Sequence, residues 1–317
     1  MQIKNATEVY DLYWQFACKR QDIFFKRYNH VSPPWTDDAV LLKYRFTNAY
    51  RAIDRVSQYL IQNVIYSKAQ VYSEEDILFR ILLFKFFNKI ETWEMLEGEL
   101  GDLTYSNFDI DQYNQVLHNA IYQKSKIYSA AYIMPSGKKE FGSDFKHENN
   151  LALLDMMMRD NLLQKVGQAK SLKDLYICLL DYPTIGPFLA FQYAIDINYS
   201  ELCDFSEMSF VVAGPGAING IQKCFPCVNK DYEYIIRFVA EHQEEEFAKR
   251  GLNFQTLFGR PLQLIDCQNL FCETDKYARM KCPEIKSKAN RVRIKQTFTP
   301  KIGDITLFLP PKWGLNY

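Results

Sequence analysis

A Pro/Gly turn between two apolar segments is the feature that most constrains the fold of this chain. Residues 172–180 place leucines and a tyrosine three to four positions apart, which predicts a helix. Pro183 ends that helix, because proline cannot continue the backbone hydrogen bonds. Gly186 permits a tight turn, and Pro187 suits the first position of a second helix over residues 188–195. We therefore expect two successive helices joined by a short hairpin.

The start of the second helix is a predicted contact with nucleic acid. A turn of this helix-hairpin-helix kind leaves backbone N–H groups exposed at a helix N-terminus, where a DNA phosphate docks without sequence preference. Ile185, Gly186 and Phe188 are the predicted DNA-binding residues of this hairpin. The alternative is a pair of core helices joined by an ordinary turn.

The charge balance limits where DNA can bind. The chain of 317 residues carries 38 basic and 38 acidic side chains, so any DNA site must be a local patch. Residues 286–301 contain lysines and arginines, Lys301 among them, and no acidic residue. The alternation of Arg291, Arg293 and Lys295 predicts a strand with these side chains on one face, about 7 Å apart. We expect this face to contact the DNA backbone; the alternative is a solvated edge strand guarded by charge.

The rest of the chain predicts a mainly α fold. Helical patterns cover residues 41–64, 74–87, 113–128, 151–166 and 232–251. Residues 134–150 are polar and contain glycine, which predicts a loop, and residues 302–309 predict a small C-terminal β element. No clear linker divides the chain. We expect one compact unit over residues 1–317, with approximate sub-regions at 1–170, 171–285 and 286–317.

Composition favours a soluble protein of a reducing compartment. The most apolar window, residues 77–87, contains Arg80 and Lys85 and is too short to span a bilayer. The first residues lack the pattern of a secretory signal, and eight irregularly spaced cysteines fit a reducing compartment such as the cytoplasm better than a disulfide framework. Cys224 and Cys227 have the spacing of half a zinc site, but no second pair completes it. Buried thiols are the favoured interpretation.

Familiar nucleotide-binding motifs are absent from the sequence. It contains no GxxxxGK[ST] loop, no strand-borne GxGxxG and no protein-kinase motif set. Gly214 and Gly216 belong to a Gly-Pro-Gly triplet that could present N–H groups to a phosphate, although the same triplet is a common turn. The four histidines are scattered, so we expect carboxylates to serve as acid–base groups.

Four segments combine polar residues with flanking aromatic residues: 46–55, 86–92, 196–207 and 265–279. In the first, Asn48, Arg51 and Arg55 are predicted to share one helix face, beside Asp54. The fourth is dense in polar side chains among apolar ones, which predicts a partly buried polar network. For each segment the alternative is structural: a helix cap, an ion pair or a solvated face.

The motifs taken together resemble one family of proteins. They are Phe46-Thr47-Asn48…Tyr50-Arg51…Asp54-Arg55, Phe86-Phe87-Asn88-Lys89-Ile90, Gly186-Pro187-Phe188-Leu189-Ala190…Asp196-Ile197-Asn198-Tyr199, Ala213-Gly214-Pro215-Gly216-Ala217 and Cys272-Glu273…Lys276-Tyr277…Arg279. Their order resembles that of the viral and bacterial 5-hydroxymethyl-deoxyuridine DNA kinases, once called glutamyl/putrescinyl-thymine pyrophosphorylases. The resemblance covers most of residues 40–300.

The resemblance implies a fold and an activity. The family is regarded as related to the helix-hairpin-helix DNA glycosylases, which implies a glycosylase-like helical body. Its described activity is ATP-dependent phosphorylation of the 5-hydroxymethyl group of a thymine-like base in DNA, here 5-hydroxymethyluracil. This chain departs from the glycosylase hairpin at Thr184, which replaces a glycine, and at Pro187, which replaces a basic residue. These departures argue against base excision more than against DNA contact.

The resemblance supplies no catalytic residue, so the expected roles come from the chemistry of phosphoryl transfer to a flipped base. We expect Asp204 to be the general base, one helix beyond the hairpin, with Asp196 and Glu207 as alternatives. Two further sets are expected: Asp266 and Glu273 on Mg²⁺, and Arg51, Lys276 and Arg279, with Gly214 and Gly216, on ATP phosphates. The rival functions are a DNA glycosylase and a non-catalytic DNA-binding module. The oligomeric state stays open.

Overall fold

The computed structural model of the chain describes residues 6–300, 303 and 305–317. In these residues there are fifteen α-helices and no strand, which confirms the prediction of a mainly α fold. The predicted C-terminal β element does not form in the described part of residues 302–309, where residues 305–309 have no regular structure. Lys301 lies outside the described residues.

The chain divides into two compact units that interleave along the sequence. Unit 1 consists of residues 1–54, 211–307 and 314–317, and unit 2 of residues 55–210 and 308–313. The sub-regions expected from the sequence, at 1–170, 171–285 and 286–317, are each continuous along the chain, unlike these units. The expected partition stays a prediction.

Several helices of unit 1 pack against the last α-helix of the chain. The helices of unit 1 are α1 (Glu8–Tyr28), α2 (Ala39–Lys43), α12 (Pro215–Cys224), α13 (Tyr232–Glu241), α14 (Gln243–Lys249) and α15 (Leu264–Lys281), with a 3₁₀ turn at Arg51–Ile53. Helix α15 packs against α1 and α12. On the α1 side, the rings of Tyr13 and Phe271 lie 4.4 Å apart. On the other side, a Cβ atom at Gly220 would lie 2.0 Å from the carbonyl oxygen of Phe271, so only glycine permits this close approach of α12.

In unit 2, several helices pack around one helix that is buried over most of its length. The helices of unit 2 are α3 (Arg55–Tyr59), α4 (Glu74–Phe87), α5 (Ile90–Leu100), α6 (Ile110–Tyr122), α7 (Lys138–Phe141), α8 (Lys146–Arg159), α9 (Leu162–Gln168), α10 (Leu172–Leu180) and α11 (Pro187–Ile197), with a π-helix at Leu60–Ile65 and a 3₁₀ turn at Pro311–Trp313. Helix α4 is buried from Leu78 to Phe87, its two cations included. Arg80 donates hydrogen bonds to the carbonyl groups of Asn63, Val64 and Leu103. Among the described helices, none combines the length and apolar character that a membrane crossing requires.

Three predicted helices are interrupted. The prediction of one continuous helix over residues 41–64 is wrong, because α2 ends at Lys43 and residues 45–50 have no helical structure. The predicted helix 151–166 breaks where Asn161 adopts a left-handed conformation, and the predicted helix 232–251 breaks at His242. The loop expected over residues 134–150 contains α7 and the first turn of α8.

Candidate functional site

The hairpin between α10 and α11 differs from its prediction in the residue that makes the turn. Helix α10 ends at Leu180 and α11 begins with Pro187 at its first position. Thr184, with φ of 68°, has the left-handed backbone, whereas Gly186 is extended, with φ of −83°. The glycine is therefore not required by the turn; it is the N-cap residue of α11, without a side-chain cap.

The predicted DNA-binding residues of the hairpin differ in accessibility. Gly186 is exposed and Phe188 is half-buried, with its ring stacked 5.8 Å from that of Tyr132. Ile185 is buried, and its N–H group donates to the carbonyl oxygen of Tyr182. Ile185 therefore stabilises the turn. Gly186, directly after it, is the one of the three that is exposed to a ligand in solution.

A buried ion pair joins α4 to α11 in unit 2. The Lys85 Nζ atom lies 3.1 Å from a carboxylate oxygen of Asp196, and both side chains are almost completely buried. The same Nζ atom donates to the Asn88 side-chain oxygen at 2.8 Å and lies 4.4 Å from the centre of the Tyr132 ring. We call Lys85, Asn88, Tyr132 and Asp196 the lysine cluster. It brings together the predicted segments 86–92 and 196–207.

The three candidate general bases have different surroundings. Asp196 is buried in the lysine cluster, and Glu207 is also buried. The Asp204 side chain is 84% exposed and lies 3.8 Å from the Lys312 Nζ atom. Its backbone neighbourhood is fixed, because the Asn198 amide pairs with both the N–H and the carbonyl group of Phe205. Asp204 is thus the accessible carboxylate of the three.

In unit 1, carboxylates hold a loop that the sequence predicts as helix. The N–H groups of Thr47, Asn48 and Arg51 donate to the carboxylates of Glu273, Asp54 and Asp266, at 3.0, 2.7 and 2.7 Å respectively. Two of these three acceptors come from α15. The carboxylates therefore replace the carbonyl oxygens that a helix would offer. We call residues 47–54 with these acceptors the anchored loop.

Arg20, on α1, completes the anchored loop. Its Nε atom donates to the carbonyl oxygen of Thr47 and its Nη2 atom to the side-chain oxygen of Asn48, both at 2.8 Å. Burial lowers the pKa of Arg20 to about 10. Sequence reasoning missed this residue because its partners lie 27 and 28 positions away and no local pattern points to them.

Asp54 and Asp266 of the anchored loop have raised pKa values. Burial raises the pKa of Asp54 to about 7, and the nearby negative charge of Glu273 adds to this effect. Burial also raises the pKa of Asp266 to about 6, although it accepts two backbone hydrogen bonds. Such shifts cluster at functional sites and also occur in structural networks. The sequence alone indicates Asp54 only as a partner for local charge.

The predicted metal ligands are already engaged by the protein. One Asp266 oxygen accepts from the Arg51 N–H group and the other from the Gln263 N–H group. The Glu273 Oε2 atom accepts from Thr47 N–H and from the Lys276 Nζ atom, the latter at 2.8 Å. These acceptors complete hydrogen bonds of the fold, so an Mg²⁺ ion would have to share their oxygen atoms with N–H groups. The roles of Asp266 and Glu273 as Mg²⁺ ligands stay predictions.

The predicted phosphate contacts are also occupied within unit 1. Arg51 is buried, and Lys276 donates to Glu273 and to the carbonyl oxygen of Arg45. Arg279 binds the carboxylate of Asp275 and donates to the carbonyl oxygen of Arg293. Their roles in ATP binding stay predictions.

The glycine triplet and the cysteine pair have structural surroundings. Gly214 is the N-cap of α12, and a Cβ atom at Gly216 would lie 2.3 Å from the Cys272 Sγ atom. Gly216 is therefore required for helix packing, whatever else it binds. Cys224 is buried and Cys227 exposed, and both thiols are free.

The basic segment has no regular structure. Arg291, Arg293 and Lys295 are exposed, as a DNA contact requires, but the predicted strand is wrong, because the described part of the segment has only an isolated bridge at its end between Tyr44 and Thr297. Because residues 291–295 do not form a strand, the alternation of the sequence does not place the three basic side chains on one face.

These features define a mainly helical protein whose buried acids and cations organise irregular loops. Residues 7–287 match the model of a family described as the 5-hmdU DNA kinase, helical domain. The chain belongs to this family, and the resemblance predicted from its motifs is confirmed. It is 25% identical over 291 residues to the 5-hmdU DNA kinase of Bacillus phage SP10. The match covers 86% of this chain and 45% of that protein, so the chain spans about half the length of its relative. No solved structure matches the chain.

Proposed function

We propose that this chain acts in the ATP-dependent phosphorylation of the 5-hydroxymethyl group of 5-hydroxymethyluracil in DNA. The observation that carries the proposal is the family match over residues 7–287, together with a relative whose name states that it is a DNA kinase. In this reaction the hydroxyl oxygen attacks the γ-phosphorus of ATP, ADP leaves, and the hydroxyl proton passes to a base.

Asp204 is the proposed acceptor of that proton. Its carboxylate is exposed and stands on a loop held by the Asn198 amide, so a flipped base can reach it without opening the core. Asp196 and Glu207 are buried and would act by supporting this region. The proposed DNA contacts are the N-terminus of α11 at Gly186 and the exposed side chains of Arg291, Arg293 and Lys295.

A second candidate is a DNA-binding module that presents the modified base to a phosphorylating site elsewhere. One observation favours it: the expected Mg²⁺ ligands, Asp266 and Glu273, are engaged by backbone N–H groups of the anchored loop. The sequence also lacks the GxxxxGK[ST] motif. No catalytic step is therefore assigned to these two carboxylates.

One assay separates the candidates. The purified chain is incubated with γ-labelled ATP and Mg²⁺ on duplexes that differ only in thymine or 5-hydroxymethyluracil. Label on the modified duplex alone, reduced about a hundredfold or more by Asp204→Asn at unchanged DNA affinity, supports the kinase and its base. Asp174→Asn, an exposed acid on α10, is the matched control.

The other outcomes of the assay are equally informative. Selective binding of the modified duplex without transfer of label supports the DNA-binding module. Equal binding of both duplexes without transfer contradicts both candidates, as does release of a free base without ATP, which is glycosylase chemistry.

A further inference from the structure

Two of the four histidines of the chain, His118 and His147, lie in contact in unit 2. His118 lies on α6, and His147 and Glu148 lie in the first turn of α8. One donor atom from each of these three residues lies within 4.8 Å of the other two. The His118 Nε2 atom is 2.6 Å from a Glu148 oxygen, and the two imidazole rings meet edge to face with centres 4.5 Å apart.

His147 has a nitrogen atom that the protein leaves without a partner. The residue is 1% exposed, and its Nε2 atom forms no hydrogen bond with any described residue. A buried polar atom without a partner loses the hydrogen bond that it would form in water, so each one in a native structure calls for an explanation. The ring of this residue lies beside a second imidazole, with the centres 4.5 Å apart, and a metal ion would use such an unpartnered nitrogen atom.

We propose that His118, His147 and Glu148 bind a Zn²⁺ ion. Two imidazoles and one carboxylate form a donor set that zinc uses in proteins, with a water molecule in the fourth position. In a tetrahedral site with ligand bonds of about 2.0–2.1 Å, donor atoms are about 3.3 Å apart. The donor atoms now lie within 4.8 Å of one another, so binding would draw the more distant ones together and lengthen the 2.6 Å contact between His118 and Glu148.

The surroundings of the three residues suit a cation. The Ser143 hydroxyl group hydrogen-bonds to Glu148, which orients the carboxylate as outer-shell partners of metal ligands do. His118 and Glu148 are 36% and 29% exposed, which leaves the ion a path from solvent.

The proposed site lies where the two ends of a long connection, residues 123–145 between α6 and α8, come together. His118 precedes the end of α6 at Tyr122, and His147 follows the start of α8 at Lys146, so the ion would join the two ends of residues 123–145. This connection contains Tyr132, whose ring stacks on Phe188 of the hairpin and lies over the Lys85 Nζ atom. Zinc would thereby order the segment that packs on the lysine cluster.

Metal binding is tested on the whole chain, independently of any kinase activity. The protein is stripped with a chelator, kept reduced without added thiol, and titrated with Zn²⁺ against a chromophoric competitor. We expect one equivalent of tightly bound zinc. Glu148→Gln and His118→Asn should each weaken binding by more than about 100-fold, beyond the effect of removing an outer-shell partner.

His118→Asn carries the test, because this position is partly exposed and its variant is expected to fold. His147→Asn is a supporting variant. His30→Asn is the matched control, since His30 is exposed and has a positive φ that asparagine tolerates. Cys227→Ser tests the exposed thiol as a competing ligand.

Proteolysis provides the second measurement. Lys124 and Lys126 are exposed in the connection, so bound Zn²⁺ should slow tryptic cleavage there at least several-fold in the wild type and not in His118→Asn. The proposal is overturned if the wild type binds no zinc, if His118→Asn binds it as tightly as the wild type, or if Cys227→Ser alone removes it.

Discussion

Asp54 is an acidic residue at a position where burial disfavours its charged form. Its carboxylate accepts the Asn48 N–H group at 2.7 Å and lies near Glu273, and burial raises its pKa to about 7. An asparagine would accept the same hydrogen bond without the charge. A residue that costs stability where a neutral one would serve is typical of functional positions.

The pH dependence of stability tests this interpretation of Asp54. Its folded pKa lies above the ordinary value of 3.8, so its contribution to stability is fully present below about pH 4 and disappears as the pH rises through about 7. Asp54→Asn should therefore raise the free energy of unfolding at pH 8, by on the order of 2 kcal/mol, and flatten its pH dependence between about pH 4 and 7.

Chemical denaturation at a series of pH values measures the effect. Asp204→Asn, at an exposed carboxylate, is the control and should match the wild type. A lower stability of Asp54→Asn at pH 8 would mean that the ionised carboxylate stabilises the loop.

At the scale of elements, α12 and α15 depend on a glycine contact. Gly220→Ala should destabilise unit 1 by about 3 kcal/mol, the upper end of the usual cost of overpacking, because its Cβ atom would meet the Phe271 carbonyl group, which cannot move without shifting α15. Gly98→Ala is the matched control on α5: apart from its chain neighbours and the backbone of its own helix, no described atom lies within 4 Å of its Cβ position. The control should gain about 0.5–1 kcal/mol from helix propensity. Thermal unfolding that shows the same destabilisation for both variants would contradict the packing argument.

The contact between α4 and α11 depends on the buried pair of Lys85 and Asp196. Lys85→Met should cost about 3–5 kcal/mol, because it leaves a buried carboxylate without its cation. Lys85→Met combined with Asp196→Asn should recover most of that stability. A double-mutant cycle of unfolding free energies measures the coupling, and additive effects would show that the pair does not interact.

The elements also show how far the sequence can predict the fold. Helix α4 forms over the predicted residues, because its signals are local: the Ser73 cap and the acids of the first turn. The helix predicted over residues 41–64 fails because Glu273 and Asp266 take the N–H groups of Thr47 and Arg51 from more than 200 positions away. A single sequence carries no signal for such pairs.

The same limit applies to the candidate sites. The mixture of polar and aromatic residues marks segments 86–92 and 196–207, yet their meeting through Lys85 and Asp196 depends on the packing of α4 against α11. His118 and His147 are scattered in the sequence, and a spacing of 29 positions becomes a pair only when α6 and α8 pack together. Residue chemistry is predictable from the sequence, whereas most pairings require the fold.

At the scale of the whole molecule, zero formal charge means that the proposed DNA affinity must come from local contacts. The exposed side chains of Arg291, Arg293 and Lys295 are the proposed source in unit 1. Replacing all three with alanine should weaken binding to a similar extent for every DNA sequence, because phosphates carry no sequence information. On duplex DNA, the slope of log K against log salt concentration should flatten by about 0.9 for each phosphate that the variant no longer neutralises.

Fluorescence anisotropy at several salt concentrations measures that slope. The control replaces Lys68, Lys126 and Lys139, which are exposed in unit 2, and removes the same charge. A change in net charge alone would affect both variants equally, whereas a direct contact lowers the slope only for the triple variant in residues 291–295. Equal slopes for that variant and the wild type would exclude the basic segment from the interface and leave the α11 N-terminus as the proposed DNA contact.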